Sequence, residues 1–356
     1  MVLDNSIAYV SGYIASWILF LVVTLIIFKM LARWKNCGRF YWGVSKVFLI
    51  SASLLFFILL MEGYYGFFYD ETDSYGYLLT SRRWFKRHYI HNNLALRDDK
   101  DYSYKKEDGI RRFVFVGDSF TAGHGIKDIK DRFAGIIEDS LKRYKGNEVY
   151  TIAVNGWDTD DEVRYLEKLI ESGFEADEII LCFNMNDIAW TSGEHYLVLQ
   201  SFKEAAPRNW LFTNSFFLNF VYVRSKIFSM PEFMNYFAWL SDSYDDGKKW
   251  ELEKSQVRRF KEICMKNRIS MKVVVLPLIG DISKDFMMRK AHEKMAIFLN
   301  EEGIPYIDLS KRLSQYPVKK LMVNKFDAHP NEFAQRIIAD EIWKNFFEAS
   351  SFESNY

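Results

Sequence analysis

The stretch Phe113-Val114-Phe115-Val116-Gly117-Asp118-Ser119-Phe120-Thr121-Ala122-Gly123 sets a short aromatic and β-branched run directly against a turn that carries glycine and serine. The run predicts a buried strand. The turn predicts a serine one step beyond that strand, at the start of a helix. A serine so placed is exposed as a nucleophile, and neighbouring backbone N–H groups can stabilise an oxyanion. A serine after a strand is also a frequent helix N-cap, so this stretch alone leaves both uses open.

Further apolar runs at 149–154, 179–183, 271–276 and 304–309 alternate with amphipathic segments at 132–143, 160–171, 251–266 and 286–300, and a last one at 331–347. Strands alternating with helices predict a parallel sheet covered on both faces. Ligands of such sheets bind beyond the carboxyl ends of the strands, which directs attention to the loop after each run. The second run is followed by Asn155-Gly156-Trp157-Asp158-Thr159, where glycine permits close backbone approach. The third is followed by Asn184-Met185-Asn186-Asp187, whose asparagines suit a turn or an oxyanion donor. Asp327-Ala328-His329-Pro330-Asn331 precedes the last amphipathic segment. A carboxylate beside an imidazole raises its basicity and fixes its tautomer for taking a proton from serine. A helix start explains Pro330 and Asn331 but gives no reason for His329. The other histidines, His88, His91, His124, His195 and His292, show no metal-ligand spacing and read as surface or core residues.

These four loop sequences, in this order, resemble the SGNH hydrolase superfamily, the GDSL-like lipases and esterases, over residues 112 to about 347. The resemblance implies a three-layer, flavodoxin-like α/β domain with about five parallel strands. It implies Ser119 as nucleophile, His329 as general base and Asp327 as the acid that orients it. The oxyanion hole would comprise the N–H groups of Ser119 and Gly156 and the side-chain amide of Asn186, with no cofactor and no metal. Two positions depart from the family pattern. The third block usually opens with glycine, where this chain has Asn184. The acid usually stands three residues before the histidine, where this chain has Phe326, and Asp327 stands two before it. Related membrane-linked sugar acetyltransferases of the superfamily use a similar closer spacing.

Residues 7–28 form a run without a charged residue, long enough as a helix to cross a bilayer core. A cleaved signal peptide fits less well, because residues 1–6 hold no Lys or Arg and the run exceeds an h-region. A second run at 47–61 extends to Tyr69 if Glu62 sits near the interface, and its tyrosines and phenylalanines resemble an aromatic belt. A buried core helix is the alternative for this run. Lys29, Arg33, Lys35, Arg39 and Lys46 crowd the connection and predict that it is cytoplasmic, with everything after Tyr69 on the far side. Arg82, Arg83, Lys86 and Arg87 pull the other way. The expected organisation is a membrane anchor over 1–69 with two transmembrane helices, a connector over 70–111 packed on the domain surface, and an SGNH-like domain over 112–350. An aromatic-rich insertion at about 188–250 would form either a lid or acyl-chain wall, or helices packed on the domain or on the membrane.

Lys plus Arg (47) equals Asp plus Glu (47), which leaves no basic excess for nucleic acid. Cys37, Cys182 and Cys264 are odd in number and lack a CxxC pair, which argues against a disulfide framework or a zinc site. The expected protein is a membrane-anchored serine acyl hydrolase or O-acyltransferase acting on ester groups, O-acetyl above all, of extracytoplasmic glycan or glycolipid, on the periplasmic or cell-surface side. Its partners would be the acylated carbohydrate or lipid, the bilayer and, for transfer, a membrane acyl-donor transporter. A lipid esterase at the membrane surface and a non-catalytic glycan-binding scaffold are the alternatives, and the complete Ser, Asp, His and Asn set counts against the scaffold.

Overall fold

The computed structural model describes residues 6–34, 39–191, 207–230, 235–283 and 286–348. Cys37, His195 and much of the insertion lie outside the described residues. All five expected strands form: β1 (Arg111–Gly117), β2 (Asn147–Ala153), β3 (Glu178–Asn184), β4 (Ser270–Leu276) and β5 (Tyr306–Asp308). They make one parallel sheet in the order β2-β1-β3-β4-β5, the flavodoxin-like order.

The alternation of side chains along β1 explains its burial on both faces. Phe113 and Phe115 turn to one side, where their rings lie 5.0 Å from Phe347 and 5.6 Å from Phe133. Val114 and Val116 face the other side and are equally inaccessible. The first side is covered by the helices Phe133–Leu141 and Glu332–Ile342, which pack on one another. A second packed pair, Thr159–Glu171 with Gly247–Lys266, supplies the other layer. Removing one such phenylalanine side chain would cost about 3–5 kcal/mol. Thr159–Glu171 begins where its sequence dictates: the Asp158 carboxylate accepts from the Asp161 N–H at 2.9 Å, and three acids occupy the first turn.

The register puts the strand ends where the chemistry needs them. Gly117 is paired with Ala153 of β2 and with Cys182 of β3, so β1 and β2 end level and β3 ends two residues on. The loops beginning at Asp118, Val154 and Met185 therefore leave one edge of the sheet together. Gly117 itself is forced, since a Cβ there would collide with the Thr121 side chain and come 3.1 Å from Cys182 Cβ. A small antiparallel hairpin, β6 (Met322–Asn324) with β7 (Asp327–Pro330), precedes the final helix. Cys182 and Cys264 are free and buried, as expected of small apolar residues.

The chain divides into two compact units, one within Met1–Glu71, Gly76–Arg87 and Ala205–Ser229, the other within Thr72–Tyr75, His88–Glu204 and Met230–Tyr356. In the first, α1 (Ile7–Trp34) and α2 (Arg39–Gly63) are long and apolar enough to cross a membrane. Only 6% of the apolar window in each is buried, unlike the core helix of a soluble domain. Glu62, the acid near the end of the second run, caps the helix Phe216–Phe228: its carboxylate accepts from the N–H groups of Phe216 (2.9 Å) and Phe217 (3.0 Å) and from the hydroxyls of Ser215 and Tyr9. Four donors thus satisfy a carboxylate in apolar surroundings.

Two stretches are more ordered than their composition suggests. Leu96, Tyr102 and Arg97 of the 70–111 stretch are buried, so this segment is more than a surface connector. In the second half of the insertion, the helix Tyr236–Asp245 buries Leu240 and Tyr244 in the core, with the Tyr244 hydroxyl on the Met185 carbonyl at 3.1 Å. This part is a helix packed on the domain.

Candidate active site

Ser119 is the first residue of the short helix Ser119–Ala122, and Asp118, not Ser119, is its cap. The Asp118 carboxylate accepts from the Phe120 N–H at 2.9 Å with one oxygen and from Asn184 Nδ2 at 3.1 Å with the other, which also lies 3.4 Å from Ser119 Oγ. This releases the serine hydroxyl from a capping role. Asn184, the departure from the family's glycine, has a concrete use in holding Asp118. Gly123 ends the helix in the left-handed region (φ 76°), and the N–H of His124 returns to the Ser119 carbonyl at 2.9 Å.

The hairpin brings the C-terminal pair to this serine across 210 residues of sequence. His329 Nε2 accepts from Ser119 Oγ at 2.9 Å, and His329 Nδ1 donates to Asp327 Oδ1 at 2.6 Å. The closer spacing of acid and base is accommodated because both lie on one short strand, whose backbone folds the His329 N–H onto the same oxygen at 3.1 Å. Asp327 does not cap the final helix. Asn331 does, accepting from the Ala334 N–H at 3.0 Å. The second Asp327 oxygen receives the Thr72 hydroxyl and lies 3.3 Å from His124 Nε2.

Burial shapes the electrostatics. Asp327 is fully buried, and burial alone would raise its pKa. The imidazoles of His124 and His329 outweigh that effect and hold it well below the usual carboxylate range. His329 is held below the ordinary imidazole value, first by burial and then by the neighbouring His124, against the opposing pull of Asp327. Burial pushes the Asp118 carboxyl up to about 6, and raises Glu162 and Asp187 further.

Gly156 is exposed in the left-handed region (φ +83°), and nothing lies within 4 Å of where a Cβ would stand. Asn186, two residues beyond β3, is half-buried, and its side chain neighbours the Tyr236 hydroxyl. Ser119, Gly156 and Asn186 thus follow the ends of β1, β2 and β3, and the hairpin strand carrying Asp327 and His329 is joined to Ser119 by hydrogen bonds. Among the described residues His124, Asp327 and His329 also present potential metal-ligating atoms within 4.8 Å of one another. Hydrogen bonds to Ser119, Asp73 and each other account for that grouping.

Thr72, His124, Tyr89 and Asn155 were not singled out by sequence, although each belongs to the hydrogen-bonded surroundings of the pair. Reading His124 as a core histidine captures its burial but not its neighbours. His292, by contrast, is a core residue held by Asp308 at 3.0 Å.

A site of this form, on a five-stranded parallel α/β sheet, defines a class of ester-cleaving hydrolases, and comparison with known proteins agrees. The family model of the GDSL-like lipase/acylhydrolase family matches residues 115–337. The chain belongs to the GDSL-like lipase/acylhydrolase family, within the SGNH fold. Among solved structures it is similar to the acetyl xylan esterase AlAXEase (17% identity, TM-score 0.42, covering 65% of this chain and 98% of that one). It is also similar to the psychrotrophic esterase EstA from Pseudoalteromonas sp. (12%, 0.40, 66% and 96%). A two-domain esterase active on acetylated mannans matches at 12% identity and TM-score 0.39, over 77% of this chain and 54% of that one. At these identities the likeness concerns the fold. Comparison with curated proteins finds no match.

Proposed function

We propose that this protein is a membrane-anchored serine esterase or O-acyltransferase acting on acyl groups, O-acetyl above all, of extracytoplasmic glycan or glycolipid. The observation that carries the reading is the continuous hydrogen-bonded line Ser119–His329–Asp327 at 2.9 and 2.6 Å. His329 Nε2 takes the Ser119 proton as Oγ attacks the ester carbon. Asp327 stays anionic and stabilises the imidazolium. The N–H groups of Ser119 and Gly156 and the Asn186 amide hold the oxyanion, and His329 then protonates the departing alcohol. Water, or an acceptor hydroxyl deprotonated by the same imidazole, attacks the acyl-serine and regenerates the enzyme.

Anchoring is supported by two apolar 27-residue spans whose surfaces are left uncovered. The excess of Lys and Arg between them supports placing the site outside the cytoplasm. A fluorophosphonate reagent, applied to the full chain and mapped by mass spectrometry, tests the chemistry. The adduct is expected on Ser119, and to be lost in His329→Ala. An unmodified Ser119 in active protein would remove the assignment. Release of acetate from acetylated oligosaccharide, compared with release of fatty acid from lipid esters, tests the substrate class.

A further inference from the structure

We propose that His124, five residues beyond the serine, is a positioning residue for the Asp327–His329 pair; the proposal rests on the serine mechanism above. Its ring is buried and lies parallel to that of His329, with centroids 3.9 Å apart and planes 8° apart. Phe120 also contacts the His329 ring, at 5.2 Å and tilted by 56°. The stack restricts rotation of the base, and the edge of His124 restricts the acid.

The tautomer of His124 follows from its partners, each of which leaves only one role to the next. The Arg97 guanidinium carbon lies 4.2 Å from the Tyr89 ring centroid. The Tyr89 hydroxyl donates to Asn155 Oδ1, 2.9 Å away, since an amide oxygen only accepts. The Asn155 amide nitrogen then faces His124 Nδ1 at 3.1 Å and donates to it. The His124 hydrogen therefore resides on Nε2, which hydrogen-bonds the Asp73 carbonyl at 3.1 Å and lies 3.3 Å from Asp327 Oδ2. A line of donors thus runs from Tyr89 through Asn155 to His124, whose Nε2 lies against the acid.

Asp327 needs both sides held. Oδ1 serves the Nδ1–H and backbone N–H of His329, while Oδ2 receives the Thr72 hydroxyl and lies 3.3 Å from the edge of His124. With His124 gone, Thr72 alone would fix the outer oxygen, and the carboxylate could swing away from Nδ1 as the imidazolium forms. His124 cannot itself serve as base, because its Nε2 is engaged by Asp327 and Asp73, whereas Ser119 Oγ bonds His329. Its role is indirect.

Two substitutions separate positioning from packing. His124→Phe keeps the ring and loses the Nε2 donor, whereas His124→Gln keeps a donor of similar reach and loses the ring. The expected result, in the full chain with p-nitrophenyl acetate, is a fall in kcat of about tenfold to a hundredfold in His124→Phe at unchanged KM, the scale seen when the hydrogen-bond partners of metal-bound histidines are removed. His124→Gln recovers most of it. The reverse order, with Phe near normal and Gln impaired, would overturn the proposal and leave a packing role. If His124→Phe does not fold, Asn155→Leu decides: loss of kcat at constant KM supports the directed line of donors, and unchanged kcat refutes it. Ser119→Ala, run alongside, keeps the two claims apart, since an active Ser119→Ala would refute the serine mechanism whatever His124 does.

Discussion

Asp327 Oδ1 and His329 Nδ1 lie 2.6 Å apart although a single residue separates them in sequence, and the carboxylate has no accessible surface. A pair so buried is directional: the acid fixes the tautomer that presents Nε2 to Ser119. Asp327→Asn is expected to leave folding nearly intact and to lower turnover by up to roughly 10⁴, as in the serine-protease case, where the amide imposes the wrong tautomer. Because Asn331 caps the final helix, the melting temperature carries little of the effect. Near-normal turnover would reduce the unit to a Ser119–His329 dyad.

The pH dependence has a definite sign. His329 titrates below the ordinary value of 6.5, so its free base persists to lower pH than an exposed imidazole would. The acid limb of kcat/KM, which reports the free enzyme, is expected to inflect below 6.5. Stability moves with it. The unfolded chain binds that proton more readily, so His329 lowers stability as the pH falls from 6.5 towards its folded value. An inflection above 6.5 would mean that Asp327 outweighs burial.

The sheet was legible because its strands are short β-branched runs between polar turns, and a parallel sheet buries such runs on both faces. Ser119 stood out because strand ends are where such sheets place ligands, and His329 because it neighbours Asp327 at a helix start that gives no reason for it. Thr72 was not, since it reaches Asp327 across 255 residues and carries no local pattern. His124 left one faint trace, its place between Gly123 and Gly125, both in the left-handed region (φ 76° and 84°). Gly125 is close-packed as well, for a Cβ there would approach Thr72 Oγ1 to 3.2 Å. The first turn-rich stretch read as a connector because its charges dominate the composition, while the buried Arg97 and Tyr102 spend their polar groups inside the fold.

Asn186→Ala is expected to lower kcat by roughly 10² to 10³ with little change in KM, because an oxyanion donor acts on the transition state more than on the bound ester. Gly156→Ala changes a left-handed backbone position with open space around it, so its effect comes through strain at the N–H and not through collision. A normal kcat in Asn186→Ala would leave the amide as a turn residue beside Tyr236.

The central claim is that Ser119 and His329 form one proton-transfer unit, and the direct measurement is ester turnover in Ser119→Ala, His329→Ala and the double variant, with folding checked by thermal denaturation. Groups that act together give losses that do not add. The account predicts that each single variant abolishes turnover and that the double variant is scarcely worse than either. Strictly additive losses, or appreciable turnover in folded Ser119→Ala, would contradict it.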